Sequence, residues 1–225
     1  MLALEDASYG YGDTALLSEM SLNIAPGGFY FLTGPSGSGK TTFLKLCYLD
    51  LAPTSGDLRL FGLSRTQMHR DDVARSRRRI GIIHQDCRFV DHLSIRENIR
   101  LPVHLSASGQ AARPDNLSEL LRWVGLEDRQ DAFPPELSGG ERQRAALARA
   151  VIMSPDLILA DEPTGNVDWE MSERLLSLLV ALNKQGKTVV MATHDLPLIR
   201  SAKARVAVRV LRLRAGHLRE AGAEL

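Results

Sequence analysis

Nine residues constrain this chain more than any others: positions 34–42 read Gly-Pro-Ser-Gly-Ser-Gly-Lys-Thr-Thr, the pattern of glycine, four residues, glycine, lysine and then serine or threonine. An apolar run over 29–32 leads in and a helix-like run over 43–51 leads out, so the sequence predicts strand, loop, helix. Gly34, Gly37 and Gly39 allow the backbone to curl until successive N–H groups face inward on an anion, at the positive end of the following helix. Lys40 supplies a compact charge for β and γ phosphates, and the Thr41 hydroxyl can ligate Mg²⁺. With Pro35, Ser36 and Ser38 between the glycines and Thr42 after them, the whole run is a candidate phosphate cradle. A glycine-rich turn that merely precedes a lysine would not need both flanks to agree.

At 225 residues the chain can bury one substantial core, and we read 1–225 as a single domain. A composition of 44% hydrophobic and 24% charged residues is that of an ordinary globular protein, and a net charge of +1 argues against a strong global attraction for nucleic acid or anionic lipid. Cys47 and Cys87 do not form a Cys-x-x-Cys pair, which favours a reducing compartment over a disulfide framework. No apolar run reaches the roughly 18 residues of a membrane span, and Glu5 and Asp6 stand where a secretory leader would carry basic residues. The expected location is the cytoplasm, with any membrane work done through a partner.

Loose alternation over 2–24, broken by Gly10, Gly12 and Asp13, predicts short antiparallel strands. Alternation resumes over 57–61; residues 64–79 read as a short surface helix whose Arg75, Arg77, Arg78 and Arg79 form a solvated face or an anion patch. Residues 80–83 predict a buried strand, and Leu117, Leu120, Leu121 and Val124 at helical spacing predict a helical subdomain, approximately 94–153. Its last helix runs over 141–153 and is ended by Pro155. Apolar strands over 157–160 and 188–192 flank a helix over 169–184, and alternation returns over 205–213. Strands and helices alternate, so the fold class is α/β, with a largely parallel sheet, an N-terminal antiparallel β part and an α-helical part.

The strand over 157–160 ends in Asp161 and Glu162. Downstream of a phosphate loop, that pair places Asp161 to hold the metal through water and Glu162 to face the terminal phosphate as base for an attacking water. Ahead of it, Leu137-Ser138-Gly139-Gly140-Glu141 opens a helix, giving a second end whose N–H groups and Ser138 hydroxyl can meet an anion. Serine and glycine would cap any helix, so this stretch alone is ambiguous.

Taken together, the three stretches resemble the motifs of ATP-binding cassette (ABC) ATPases, with 137–141 standing where that family has its signature. The resemblance implies roles for further residues. Gln85 matches the glutamine loop that reaches metal and attacking water and signals to a membrane partner. His194 in Ala192-Thr193-His194-Asp195 matches the switch histidine that contacts the γ-phosphate. Gly165-Asn166-Val167-Asp168 matches the loop, ending in Asp168, that crosses between cassettes. Tyr11 stands where an aromatic lies under adenine, with Tyr9 a neighbouring rival. ATP and Mg²⁺ are the implied ligands, with Thr41, Gln85 and Asp161 about the metal. A homodimer on ATP binding follows, because one subunit's phosphate loop faces the other's Ser138, Gly139, Gly140 and Glu141.

The wording of 31–34, 159–166 and 191–195 is most similar to the cell-division branch of the family, whose ATPases act with an FtsX-like membrane protein. ATPases of lipoprotein-releasing or macrolide exporters with a permease partner share much of 163–166, so the sequence leaves that alternative open. Residues 86–92, which would face the membrane partner, match no subgroup clearly. A nucleic-acid-associated ABC ATPase would carry long heptad inserts or a basic groove; no sustained heptad lies between Gln85 and Leu137, which counts against it, and no nucleic acid is expected. A small-molecule kinase with the same phosphate loop would not need 137–141 or His194. The expected site is peripheral, on the inner face of the bacterial plasma membrane.

Overall fold

The computed structural model describes residues 1–12, 14–106, 117–165 and 167–221. Among them are two sheets. The first is antiparallel, in the order β2 (Thr14–Ile24), β1 (Leu2–Tyr11), β4 (Ser55–Leu60) and β5 (Leu63–Ser64). The expected antiparallel part is present, but β1 and β2 are long strands rather than short ones. Their register slips between Leu4 and Ala7 and again towards Tyr9, so local bulges do the bending that separate short strands would have done. Asp13, assigned to a turn, lies outside the described residues.

The second sheet is the predicted largely parallel one, ordered β10 (His217–Glu220), β9 (Val208–Arg214), β3 (Phe29–Thr33), β8 (Thr188–Ala192), β7 (Leu157–Asp161) and β6 (Ile80–Ile83). Only β10 runs antiparallel to its neighbour. Every residue of β3 and β8 is buried, as central parallel strands covered on both faces require. Alternate side chains of β3 divide between two cores: Tyr30 and Leu32 pack with α1 (Lys40–Cys47) and the antiparallel sheet, Phe29 and Phe31 with α5 (Gly139–Val151), α6 (Trp169–Lys184) and α7 (Leu196–Lys203).

A third cluster joins α3 (Ile95–Leu105), α4 (Leu117–Val124) and one face of α5 through Ile95, Ile99, Leu121, Val124, Ala145 and Ala148. Because Ala146, Leu147 and Val151 of the same helix pack towards the central sheet, α5 belongs to both cores.

Three sequence expectations need correction. The helix after the phosphate loop starts at Lys40 rather than 43 and stops at Cys47 rather than 51. Gly39 takes the left-handed N-cap conformation that lets the turn begin at once, and Leu49 at φ 64° ends the helical path. The surface stretch 64–79 is a strand end, a 3₁₀ turn and α2 (Arg70–Arg77) in succession. Its arginines are not simply a solvated face: Arg75 pairs with Asp72, Arg77 donates to the Leu49 carbonyl at 2.8 Å, and Arg79 bonds Asp156 at 2.7 Å while lying over the Phe61 ring.

Candidate functional site

β3 delivers the chain to a tight loop whose first glycine is sterically obligatory. A Cβ on Gly34 would lie 2.4 Å from the Leu213 carbonyl oxygen and 2.7 Å from Ser38 Oγ. At the far end, Gly39 at φ 100° caps α1 without any side-chain hydrogen bond, and no acidic residue occupies the first turn. The N–H donors of this helix end are thus left facing the loop, and Ser38 Oγ is buried with no partner. An unsatisfied hydroxyl beside a helix N-terminus is a site that suits a phosphate.

The cleft over this loop has a volume of about 600 Å³, and its walls bring together residues from distant parts of the sequence: residues 34–37 and 39–42 with Gln85, Asp161, Glu162 and His194. Leu16 from β2 and Gly165 also line it. Leu16 was not foreseen, because nothing in an alternating strand marks which apolar residue will reach a cleft built by another sheet.

Lys40 Nζ donates to the carbonyls of Gly34 at 3.0 Å and Pro35 at 3.3 Å and stands 3.7 Å from Glu162 Oε1. The other oxygen of Glu162 lies 3.0 Å from His194 Nδ1. Pairing of β7 with β8 aligns Asp161 with Ala192 and so brings both strand ends to the loop. Glu162 adopts φ 45°, a left-handed conformation costly for a side chain with a Cβ, and its N–H donates to the Ala192 carbonyl at 2.9 Å.

Burial pushes the Asp161 carboxyl above the ordinary range, as does the neighbouring Glu162 charge, while a hydrogen bond from the Thr41 hydroxyl and the Lys40 charge oppose the rise. A half-buried carboxylate in this position favours a cation. Among the described residues no three His, Cys, Asp or Glu side chains converge on one point. Thr41, Asp161 and Gln85 all line the cleft, and the Thr41 hydroxyl donates to Asp161; oxygen groups of this kind are the type of ligand Mg²⁺ takes, few from protein and the rest from phosphate and water.

The remaining candidates lie elsewhere. Ser138 is the N-cap of α5 and forms a capping box: its hydroxyl accepts from the Glu141 N–H at 3.3 Å, while Glu141 Oε2 accepts from the Ser138 N–H and hydroxyl, each at 2.8 Å. Ser138 and Gly139 are exposed, and none of 138–141 lines the cleft of its own chain. Gly140 sits where a Cβ would meet Met171 Cε at 2.7 Å, so this helix tip packs closely on α6. Asp168 caps α6 by accepting from the Met171 N–H at 2.8 Å. Asn166 falls outside the described residues. Tyr11 ends β1 with 55% exposure, while Tyr9 meets it edge-on at 5.1 Å and packs into the core beneath; of the two rings, Tyr11 offers the free face.

A second groove, about 390 Å³, lies beside β6, between α3 and the end of α5. It is lined by apolar Ile82, Pro102 and Leu105 together with Arg78, His84 and Arg149.

Comparison with known proteins shows the family. The ABC transporter family model matches residues 17–165. Among similar proteins are the cell division ATP-binding proteins FtsE of Escherichia coli, 40% identical over 97% of both chains, and of Mycobacterium tuberculosis, 38% identical over 92% of this chain and 90% of that one. Among solved structures, the ATP-binding cassette MJ0796, dimeric in a post-hydrolysis state bound to ADP and Pi, superposes with a TM-score of 0.85 at 33% identity over 98% of each chain.

Proposed function

This chain belongs to the ABC transporter family and is an ATP-binding ATPase of that kind, and from that premise we propose that it is the motor subunit of a bacterial cell-division complex. Its partner in this reading is an FtsX-like integral membrane protein, through which ATP-driven closure is relayed to cell-wall remodelling. The observation that carries the chemistry is the Glu162 carboxylate held between Lys40 and His194 at the mouth of the phosphate loop.

In the proposed reaction, the triphosphate lies across residues 34–42 and Lys40 moves from its own loop carbonyls onto the β and γ phosphates. Thr41, Asp161 and Gln85 hold Mg²⁺, which supplies neutralisation of phosphate charge when bound. Glu162 accepts a proton from the attacking water while the water oxygen bonds to the γ-phosphorus and the bond from the γ-phosphorus to the β-phosphate oxygen breaks, releasing ADP and phosphate. His194 steadies Glu162 through Nδ1 and contacts the γ-phosphate as the water approaches. Tyr11 lies under the adenine ring.

The exposed Ser138 tip supports a sandwich: a capped helix end that faces outward and away from its own cleft is available to a second copy, with Asp168 at the crossing. The helices around 94–153 form a helical subdomain within one domain spanning 1–225. Two triphosphates bridging such a dimer favour the closed state over the open one, which is what couples binding to motion. Among the described residues no helix is long and apolar enough to cross a membrane, so attachment to the inner face of the plasma membrane falls to the partner. The groove beside β6, adjoining the Gln85 loop, is the face we assign to that partner.

Glu162→Gln tests the reaction: it is expected to retain ATP binding, lose about 10² to 10⁴ in turnover and accumulate a nucleotide-bound dimer by sedimentation. Turnover equal to the unaltered chain would remove Glu162 as the base. For the partner, co-expression with a four-helix FtsX-like protein is expected to yield a purified complex; capture by a lipoprotein-release permease instead would move the chain to the export reading.

A further inference from the structure

The segment that follows Gln85 is fastened to α5 by contacts that the proposed reaction does not use. After the turn in which the Cys87 N–H donates to the His84 carbonyl at 3.1 Å, the Arg88 carbonyl accepts a hydrogen bond from the Arg149 guanidinium. The next side chain, Phe89, has its ring 4.7 Å from the Arg149 guanidinium carbon and 5.7 Å from that of Arg142. Seven residues separate the two arginines along α5, which is two helical turns, so both project from one face and address the same ring. Beyond Phe89 the strand of loop is pinned again. Asn98, fully buried on α3, accepts from the Val90 N–H at 2.8 Å and donates to the carbonyls of Val90, Leu93 and Ser94 at 3.0, 2.9 and 3.1 Å.

The other end of this attachment is the signature tip. The Arg142 N–H donates to the Ser138 carbonyl at 2.9 Å, and its guanidinium donates to the Pro134 carbonyl at 2.9 Å, within the turn that leads into the signature. Phe89 also packs against both the central-sheet core and the α3–α4 core, the two that α5 shares. A helix behaves as a rigid rod over this length, so a force on the ring is felt at Ser138.

We propose that Phe89, clasped between Arg142 and Arg149, is a positioning residue that ties the Gln85 loop to the helix beginning at Ser138, so that the glutamine and the signature tip shift together. The inference rests on the sandwich reading above and names the part that would link its two unlike faces within one chain. The clasp is of the cation–π kind: it needs an aromatic face and planar guanidinium groups, and a branched aliphatic of similar bulk would fill the space without binding them.

The test is a set of purified full-length chains carrying Phe89→Tyr, Phe89→Leu, Arg149→Lys, Gln85→Ala and the Gln85→Ala/Phe89→Leu pair, each measured for KM, kcat and thermal unfolding. Phe89→Tyr is expected to keep kcat, while Phe89→Leu and Arg149→Lys lower it by about three- to ten-fold with KM little changed. Because Phe89 acts through Gln85, adding Phe89→Leu to Gln85→Ala is expected to lower kcat no further, a non-additive cycle that a purely structural loss would not give. The clasp is overturned if Phe89→Leu matches Phe89→Tyr in kcat, or if the losses in the pair multiply. An unaltered chain without ATP turnover overturns the motor reading and the clasp together; an active chain with a silent Phe89→Leu overturns the clasp alone.

Discussion

Two helix tips in this molecule begin with glycine and serine, and they are finished in opposite ways. At α1, the N-cap Gly39 offers no side-chain cap, the first turn holds no acid, and Ser38 Oγ is left without a partner. At α5, Ser138 and Glu141 satisfy each other through a complete capping box, and Arg129 adds an ion pair to Glu141 at 3.1 Å. The first tip leaves its donors to an outside anion and lies in a cleft; the second has engaged the Ser138 N–H and hydroxyl and the Glu141 N–H internally and lies in the open. In the proposed reading the uncapped end binds phosphate by itself, whereas the capped end must first exchange Glu141 for a phosphate before its serine can donate to one. The two tips should therefore differ in whether a single chain suffices.

The comparison breaks first at Lys40. Lys40→Ala is expected to weaken ATP binding by about 100-fold, as loss of a charge-assisted bond to phosphate would, and titration calorimetry of the monomer reads it. Unaltered affinity would mean the uncapped tip does not hold the phosphates. Ser138→Arg is expected to leave that monomer affinity within about two-fold while abolishing ATP-dependent dimers in sedimentation, since bulk that blocks closure is added only at the outward tip. Dimers that persist would show that the capped tip faces nothing.

Gly140→Ala sharpens the contrast at lower cost. Its Cβ would meet Met171 at 2.7 Å, so thermal unfolding should fall by a few degrees, equivalent to about 1–2 kcal/mol, as the flexible methionine gives way. The smallest effect is acid-dependent. The Ser138 N–H, and next the Ser138 hydroxyl, hold the Glu141 carboxyl below its ordinary 4.5. A depressed carboxylate contributes stability that is present above the ordinary value and lost as pH falls through the lowered one. Denaturant unfolding of the unaltered chain and of Glu141→Gln should accordingly differ at neutral pH, begin to converge as pH falls below the ordinary 4.5, and meet only once pH has passed below the lowered value.

Much of this was legible in the sequence where local chemistry decides structure. The strand Ile80–Ile83, the helix Trp169–Lys184 and the strand Thr188–Ala192 have the boundaries their apolar spacing predicts. α7 passed unread although its signals were present: Asp195 as N-cap, Pro197 in the first turn and Leu198, Ile199 and Ala202 at helical spacing. The start of α1 is hidden in the sequence because a glycine in a glycine-rich run looks like loop, while the left-handed geometry of Gly39 is what starts the helix.

The phosphate loop, Asp161 and Glu162 could be read from residues alone, and the family resemblance supplied Gln85 and His194. What no reading supplied is the meeting of Glu162 with both His194 and Lys40, because that depends on which strands are neighbours and in what register. The partners of Arg77 and Arg79 were equally out of reach, being a backbone carbonyl and an aspartate far along the chain.

In the proposed reaction, the backbone twist at Glu162, φ 45°, sets heat resistance against turnover at one residue. Glycine would relax that torsion by about 1 kcal/mol and remove the carboxylate in the same exchange. Directed evolution for thermal endurance, left unsupervised, would be drawn to this codon and return sturdier, idle proteins. Any such campaign must score hydrolysis alongside melting.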